Sequence, residues 1–152
     1  MKPIPNPAST KRVQRSRPFA LSFVLIFATM IAGVAIRFTR FGMPPVIVKY
    51  GGSMLWALMI YWIVSTLLHT FRLLAVAFFT ASLTTAVEFL KLHHSPSLDA
   101  FRLTLPGILL LGRFFSVWDI LAYWLAISIG VLIDKQIRSA ADLASFPDDG
   151  RI

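Results

Sequence analysis

The sequence contains no cysteine and has few charged residues. Of its 152 residues, charged side chains make up 14% and hydrophobic ones 57%. Without cysteine, the chain has no disulfide bridge, no cysteine-based zinc site and no thiol nucleophile. The scarcity of charge excludes an ordinary soluble domain, in which about a quarter of the residues are charged.

Four stretches of the chain are almost free of charged residues. A helix needs about 20 mostly apolar residues to cross the hydrocarbon core of a bilayer. We therefore predict an all-α integral membrane protein built as a bundle of four transmembrane helices in one domain, residues 18–138. The predicted helices lie near residues 18–36, 51–70, 73–90 and 115–133.

The two ends of the chain differ from this apolar domain. Residues 1–17 are basic and contain three prolines, and residues 139–152 are polar with Pro147 among them, so we expect both segments to be disordered. Within the first apolar stretch, Gly33-Val34-Ala35 imitates a signal-peptide cleavage site. The length of that stretch favours a retained helix instead.

The positive charge of the chain predicts its orientation rather than a nucleic-acid partner. The formal net charge is +8, and five basic residues precede the first helix. Positive residues next to a membrane helix favour the cytoplasmic side and attract anionic lipid. We therefore expect a multi-pass protein of the inner (cytoplasmic) membrane with both termini in the cytoplasm. The predicted outer connections also hold six basic residues, which indicates another purpose for them: Arg37, Arg40, Lys49, Lys91, Arg102 and Arg113.

The connection before the last helix contains a short apolar segment. Residues 103–112 are apolar or small apart from Thr104, and Pro106-Gly107 interrupts them. The segment is too short to cross a bilayer, so it either re-enters the membrane or lies at its surface.

The two halves of the chain share a pattern at an offset of 62 residues. Trp56, Tyr61 and Trp62 align with Trp118, Tyr123 and Trp124. Parallel repeats of this kind occur in membrane transport folds. The alternative is that aromatic belts place such residues at similar depths in both halves.

Two carboxylates and two arginines form the candidate site. Glu88 lies near the end of the third predicted helix and Asp119 within the fourth, and each shares a helix face with small residues that permit close packing. Arg102 and Arg113 are the nearest expected counter-charges. Ionisable groups at membrane depth mark functional sites by default. The alternative is a set of ion pairs that fixes the loop to the helix ends.

Arginine forks bind phosphate or carboxylate groups in a bidentate manner. We therefore favour recognition of an anionic outer-leaflet lipid or envelope precursor through Glu88, Arg102, Arg113 and Asp119. A membrane enzyme acting on a lipid-linked head group is the runner-up, and a small transporter subunit is third. Enzymatic activity is less favoured because no nucleophile or oxyanion-hole motif is legible. No cofactor is expected, and His93-His94 match no zinc signature.

Helix one carries a face of small residues, Ala28, Ala32 and Ala35. Such faces drive association of membrane helices. This face either joins copies of the chain or seals helix one against helices three and four. We favour a monomer.

The segments around these polar residues resemble the small bacterial membrane proteins catalogued as domain of unknown function 2809. The resemblance covers roughly residues 18–135 and implies a bacterial inner-membrane location without settled biochemistry. Its motifs are Val48-Lys49-Tyr50-Gly51, Leu55-Trp56-Ala57, Glu88-Phe89, Arg102-x-Thr104-x2-Gly107, Leu111-Gly112-x2-Phe115-Ser116 and Trp118-Asp119-x3-Tyr123.

The order of Glu88, Arg102 and Asp119 is more distantly similar to VanZ-like teicoplanin-resistance proteins. That family typically has Glu-x2-Gln, whereas this chain has no glutamine at that turn. The Asn that usually follows the Asp is replaced here by Tyr123 and Trp124. Both departures argue against a VanZ-like activity.

Overall fold

The computed structural model describes residues 17–38, 42–112 and 114–143. Within these residues the chain forms helices and no strand. The helices are α1 (Phe19–Phe38), α2 (Pro45–Leu67), α3 (Leu73–Leu90), α4 (Pro96–Arg102), α5 (Leu105–Leu110) and α6 (Val117–Leu143). Four of them, α1, α2, α3 and α6, are long and apolar enough to cross a membrane. The prediction of an all-α membrane bundle is confirmed.

The long helices differ in length. At 1.5 Å per residue, the 18 residues of α3 span about 27 Å and the 27 residues of α6 about 40 Å. Helix α6 is therefore longer than a hydrocarbon core of about 30 Å. It continues to Leu143, so residues 139–143 of the segment predicted to be disordered are helical. Residues 1–16 and 144–152 lie outside the described residues.

Helix α2 begins earlier than the sequence indicates. The uncharged run predicts a helix that starts near residue 51, but α2 starts at Pro45. Proline suits the first position of a helix, because the donor it lacks has no acceptor within the helix there. Pro44 is the N-cap residue, and its carbonyl accepts from the amide of Val48 at 3.3 Å.

Helix α2 is the central helix of the bundle. It packs against α1, α3 and α6, and α3 also packs against α6. Consecutive long helices run antiparallel, so two ends of the bundle can be named. The Glu88 end contains the C-termini of α1 and α3, the N-termini of α2 and α6, and the short helices α4 and α5. The Asp134 end contains Arg17, the α2–α3 turn and the C-terminal half of α6.

The core of the bundle is small. Buried apolar residues form one cluster of Tyr61, Trp62, Val64, Val76 and Ile127 and a second of Ala57, Tyr123 and Ala126. Large apolar side chains cover much of the outside, as with Leu74 and Phe78, which are 78% and 77% exposed. Such a surface is suited to contact with lipid rather than water.

The small-residue face of α1 does not seal this helix against α3 and α6. Ala28, Ala32 and Ala35 are all exposed, and α1 packs against α2 instead. Of the two roles predicted for this face, sealing is therefore wrong.

The apolar segment before α6 contains α5. Thr104 caps this helix, since its hydroxyl accepts from the amide of Gly107 at 3.2 Å. The 6 residues of α5 span about 9 Å. A helix of this length reaches only a fraction of the depth of a bilayer.

Candidate functional site

Glu88 is fully buried near the end of α3, and three of the described residues donate to it. The hydroxyl of Tyr123 donates to Oε2 at 2.9 Å, and the amide of Ser116 donates to Oε1 at 2.8 Å. The ammonium group of Lys91 forms a salt bridge with Oε2. Together these donors satisfy a carboxylate that would otherwise be costly to bury.

The local backbone explains how Lys91 reaches Glu88. Lys91 directly follows α3 in helical conformation, so its side chain lies on the same face as Glu88, three residues earlier. Gly112 passes against this lysine with a φ of +69°, and a Cβ there would lie 3.3 Å from Lys91 Nζ. Glycine at this position supplies both the left-handed conformation and the room for the lysine.

Asp119 lies in the first turn of α6, four residues before Tyr123. It is only 4% exposed, and its Oδ1 accepts from the hydroxyl of Ser53 on α2 at 3.3 Å. Helices α2, α3 and α6 therefore bring both predicted carboxylates into the same end of the bundle. Neither carboxylate faces lipid.

A cavity of about 810 Å³ opens beside these residues. Among the described residues, its charged lining consists of Arg37, Lys49, Lys91 and Asp119. Ser53 and Tyr123 add hydroxyl groups, while the rest of the wall is mostly apolar or aromatic. That part of the lining includes Ile36, Met43, Pro45, Val48, Trp56, Val87, Ile108, Leu110, Leu111 and Phe114.

Arg102 takes a different position from the predicted one. Its guanidinium donates to the carbonyl of Leu90 at 2.7 Å, to that of His93 at 3.0 Å and to Asp99 Oδ1 at 2.9 Å. Arg102 thus caps the C-terminal carbonyls of α3 rather than joining the Glu88 cluster. The seven-residue helix α4 directs the side chain back onto α3. Arg113, the other predicted arginine, lies outside the described residues.

A third buried carboxylate, which is not among the predicted site residues, lies at the other end of the bundle. Asp134 is fully buried and accepts from the hydroxyls of Ser65 and Tyr61 at 2.7 and 3.2 Å. Arg138 donates to both of its oxygens, at 3.1 and 3.2 Å, and Arg17 Nη1 lies 3.5 Å from Oδ1.

Arg17 connects the segment before α1 to this cluster. Its guanidinium carbon lies 4.8 Å from the centre of the Trp62 ring, and it donates to the hydroxyls of Ser22 and Thr66 at 2.9 and 3.2 Å. Burial lowers the pKa of Arg17, whereas the negative charge of Asp134 opposes this shift. Since arginine titrates far above neutral pH, the side chain remains a cation.

The sequence contains a signal for the cluster around Asp134. Ala126, Gly130, Asp134 and Arg138 repeat at four-residue spacing, and therefore continue the inward face of α6 beyond residue 133. The apolar run predicts a helix that ends one residue before Asp134, and the basic composition places Arg17 in the tail. The cavity beside this cluster has a volume of only about 10 Å³, so it offers no room for a ligand.

The two clusters therefore differ in what they can do. At the Asp134 end, the charged groups contact one another in a closed packing. At the Glu88 end, three cations and Asp119 face a cavity large enough for a small molecule or head group. Cations at such a site can bind phosphate or carboxylate, and Asp119 can accept from a ligand hydroxyl or amine.

A scan against family models matches residues 42–127 to the family described as "Protein of unknown function (DUF2809)". No curated protein and no solved structure matches the chain. The comparisons do not bear out the more distant similarity to VanZ-like proteins. The matched segment includes α2, α3 and the first part of α6, and hence both carboxylates of the Glu88 end and most of the cavity. Because the match covers more than half of the chain, this protein belongs to the DUF2809 family.

Proposed function

We propose that the cavity at the Glu88 end recognises the head group of an anionic lipid or envelope precursor. The observation that supports this proposal most directly is the charge of the cavity lining. Among the described residues, Arg37, Lys49 and Lys91 oppose the single carboxylate of Asp119. Glu88 adds a second negative charge because it pairs with Lys91. The positive side chains of the cavity still outnumber the negative ones.

The surroundings of the three cations support a ligand that is part lipid. Most other residues of the cavity wall are apolar, and the cavity lies where four apolar helices end. Cations at this depth attract anionic head groups, with about 1 kcal/mol contributed by each residue near the surface. A soluble anion would gain the same charge contacts but nothing from the apolar wall.

We further propose that the protein lies in a bacterial inner membrane with both termini in the cytoplasm and the cavity toward the outer leaflet. The five basic residues before α1 support this orientation. Lys135 and Arg138 near the end of α6 add positive charge at the same end of the bundle.

Native mass spectrometry of the detergent-solubilised protein with phosphatidylglycerol, an anionic lipid, tests head-group recognition. Replacing Lys49 by Gln removes one cation of the cavity, so we expect about fivefold weaker retention of the lipid. Lys135→Gln is the matched control, because Lys135 is exposed at the Asp134 end. Equal retention in the wild type and in both variants would contradict the proposal, as would equal losses in the two variants.

A second candidate function is enzymatic, on a lipid-linked head group. Asp119 supports it, since this carboxylate lines the cavity and accepts one hydrogen bond among the described residues, from Ser53. A buried carboxylate next to another one can serve as a general acid or base. We favour binding alone because the described lining contains no histidine that could activate the Ser53 hydroxyl, which donates to Asp119. Turnover of a lipid-linked substrate that is lost in Asp119→Asn, with lipid retention intact, would favour the enzyme.

A further inference from the structure

An apolar groove of about 300 Å³ runs along the surface between α1 and α2. Its α1 side presents Met30, Gly33 and Val34, and its α2 side presents Leu55 and Met59. Thr29 also lines the groove, but its hydroxyl donates to the carbonyls of Leu25 and Ile26 within α1. Apart from Arg37 and Trp56, which lie at its cavity end, the described lining of the groove therefore offers no polar side chain that is free for a ligand.

The groove adjoins the charged cavity. Arg37, Trp56 and Leu110 line both spaces, so the two spaces are direct neighbours. Arg37 marks the boundary between them, and its guanidinium donates to the carbonyl of Ile108 in α5 at 3.3 Å. Pro106 and Leu110 border the groove on the side of α5. A cavity with charged groups thus lies next to an apolar groove along a membrane helix.

We propose that the ligand of the cavity is a lipid, one hydrocarbon chain of which lies in the α1–α2 groove. The inference rests on the proposed head-group recognition and specifies the class of ligand. The charged cavity and the adjoining apolar groove match the two parts of an anionic lipid. The groove opens to the exterior, as shown by Met30 and Val34, which are 41% and 39% exposed.

The position of the groove also determines how the lipid arrives. A chain that moves from bilayer hydrocarbon into an apolar groove leaves one apolar environment for another, so the step needs no exposure to water. The head group then moves sideways into the cavity without extraction of the lipid from the membrane. A soluble head group would lack this route and the contacts in the groove.

Photocrosslinking tests the position of the chain. The probe is phosphatidylglycerol with a diazirine near the end of one acyl chain, added to the purified full-length protein in detergent at substoichiometric amounts. We expect labelling of Met30, Leu55 and Met59 to exceed labelling of the α3 residues Leu74 and Phe78, although these two are more exposed to the surroundings of the bundle. We also expect Lys49→Gln to decrease the groove labelling, because the head group holds the chain in place.

Filling the groove provides a second test. Val34→Phe adds a ring inside the groove, and overpacking of this size should weaken retention of the probe about fivefold or more. Val24→Phe is the matched control, since Val24 lies on the same helix, is 61% exposed and lines neither space. If Val34→Phe leaves retention of the probe unchanged, the proposal that a lipid chain lies in the groove is wrong.

The outcomes separate this inference from the function on which it rests. If retention falls in Lys49→Gln but the chain labels α3 as strongly as the groove, the head-group site stands and the groove assignment is wrong. If Lys49→Gln does not change retention of the lipid probe, head-group recognition and the groove assignment are both wrong.

Discussion

Each end of the bundle holds a buried carboxylate that accepts a hydrogen bond from a tyrosine of a neighbouring helix. Tyr123 of α6 donates to Glu88 of α3, and Tyr61 of α2 donates to Asp134 of α6. The counter-ions differ, because Glu88 has a lysine that also faces a cavity, while Asp134 has two arginines in a closed packing. A hydrogen bond from a tyrosine to a buried carboxylate therefore occurs beside the open cavity at one end and in the closed helix packing at the other.

The first residue-scale prediction concerns Asp134. Replacing it by Asn removes the negative charge that two buried guanidinium groups share, and leaves them uncompensated. We expect the free energy of unfolding to fall by about 3 kcal/mol or more. Unfolding by sodium dodecyl sulfate in mixed micelles measures the change.

Asp99→Asn serves as the control for this variant. Asp99 also pairs with an arginine, but its side chain is 45% exposed, so the same substitution should cost about 1 kcal/mol or less. A loss at Asp134 no larger than the loss at Asp99 would show that the buried cluster does not stabilise the fold.

At the scale of the helices, hydrophobic runs predict which segments span the membrane but not where each helix ends. The apolar runs determine the existence of α1, α2, α3 and α6, because a helix satisfies its own backbone groups in lipid and about 20 apolar residues are enough to cross it. The start of α2 at Pro45 depends on the fit of proline to the first turn of a helix, and the continuation of α6 beyond residue 133 is accompanied by contacts of Asp134 and Arg138 with Ser65 of α2. These features carry no hydrophobic signal.

The candidate site was predictable to a similar degree. Glu88 and Asp119 are conspicuous as acidic residues beside or within apolar runs, and the structure buries both at one end of the bundle. Arg102 donates to the Leu90 carbonyl at the end of α3 rather than to Glu88 or Asp119, because α4 turns its side chain toward α3. The cavity lining of Arg37, Lys49 and Lys91 is brought together by packing of several helices, which residue spacing does not reveal.

The repeat at an offset of 62 residues is preserved in part by the structure. Tyr61 and Tyr123 play equivalent roles as donors to buried carboxylates. Trp62 is 1% exposed whereas Trp124 is 54% exposed, so the paired tryptophans have different surroundings. Whether the two halves arose by duplication stays a hypothesis.

The close approach of α2 and α6 gives a prediction at this scale. A Cβ at Gly130 would lie 2.8 Å from Cδ1 of Tyr61 and 2.9 Å from Cδ1 of Leu58. Gly130→Ala should therefore push α6 away from α2 and lower the free energy of unfolding by about 1–3 kcal/mol.

Gly33→Ala is the matched control for this variant. Its Cβ would meet Leu55 Cβ at 3.6 Å, an ordinary contact, and alanine favours a helix by up to about 1 kcal/mol. Thermal unfolding of both variants in detergent decides the matter. Equal stability of the two would mean that contact at Gly130 does not limit the approach of α2 and α6.

At the scale of the whole molecule, the closed and open ends define a polarity across the membrane. Asp119 and Asp134 lie 15 residues apart on α6, or about 22 Å, which places the clusters near opposite faces of a bilayer about 30 Å thick. The closed cluster connects Arg17, before α1, to the C-terminal half of α6. The exposed small-residue face of α1 leaves self-association open to test, and a monomer stays the prediction.

This polarity predicts which end of the bundle faces the cytoplasm. The basic residues before α1 and those near the end of α6 favour the cytoplasmic side for the Asp134 end. In bacteria, alkaline phosphatase fused after residue 98, in α4, should therefore be active, because this enzyme matures only outside the cytoplasm. The same reporter fused after residue 143 should be inactive, whereas green fluorescent protein fused there should fluoresce. Active phosphatase after residue 143 would reverse the orientation, and would place the charged cavity against the cytoplasmic leaflet and its lipids.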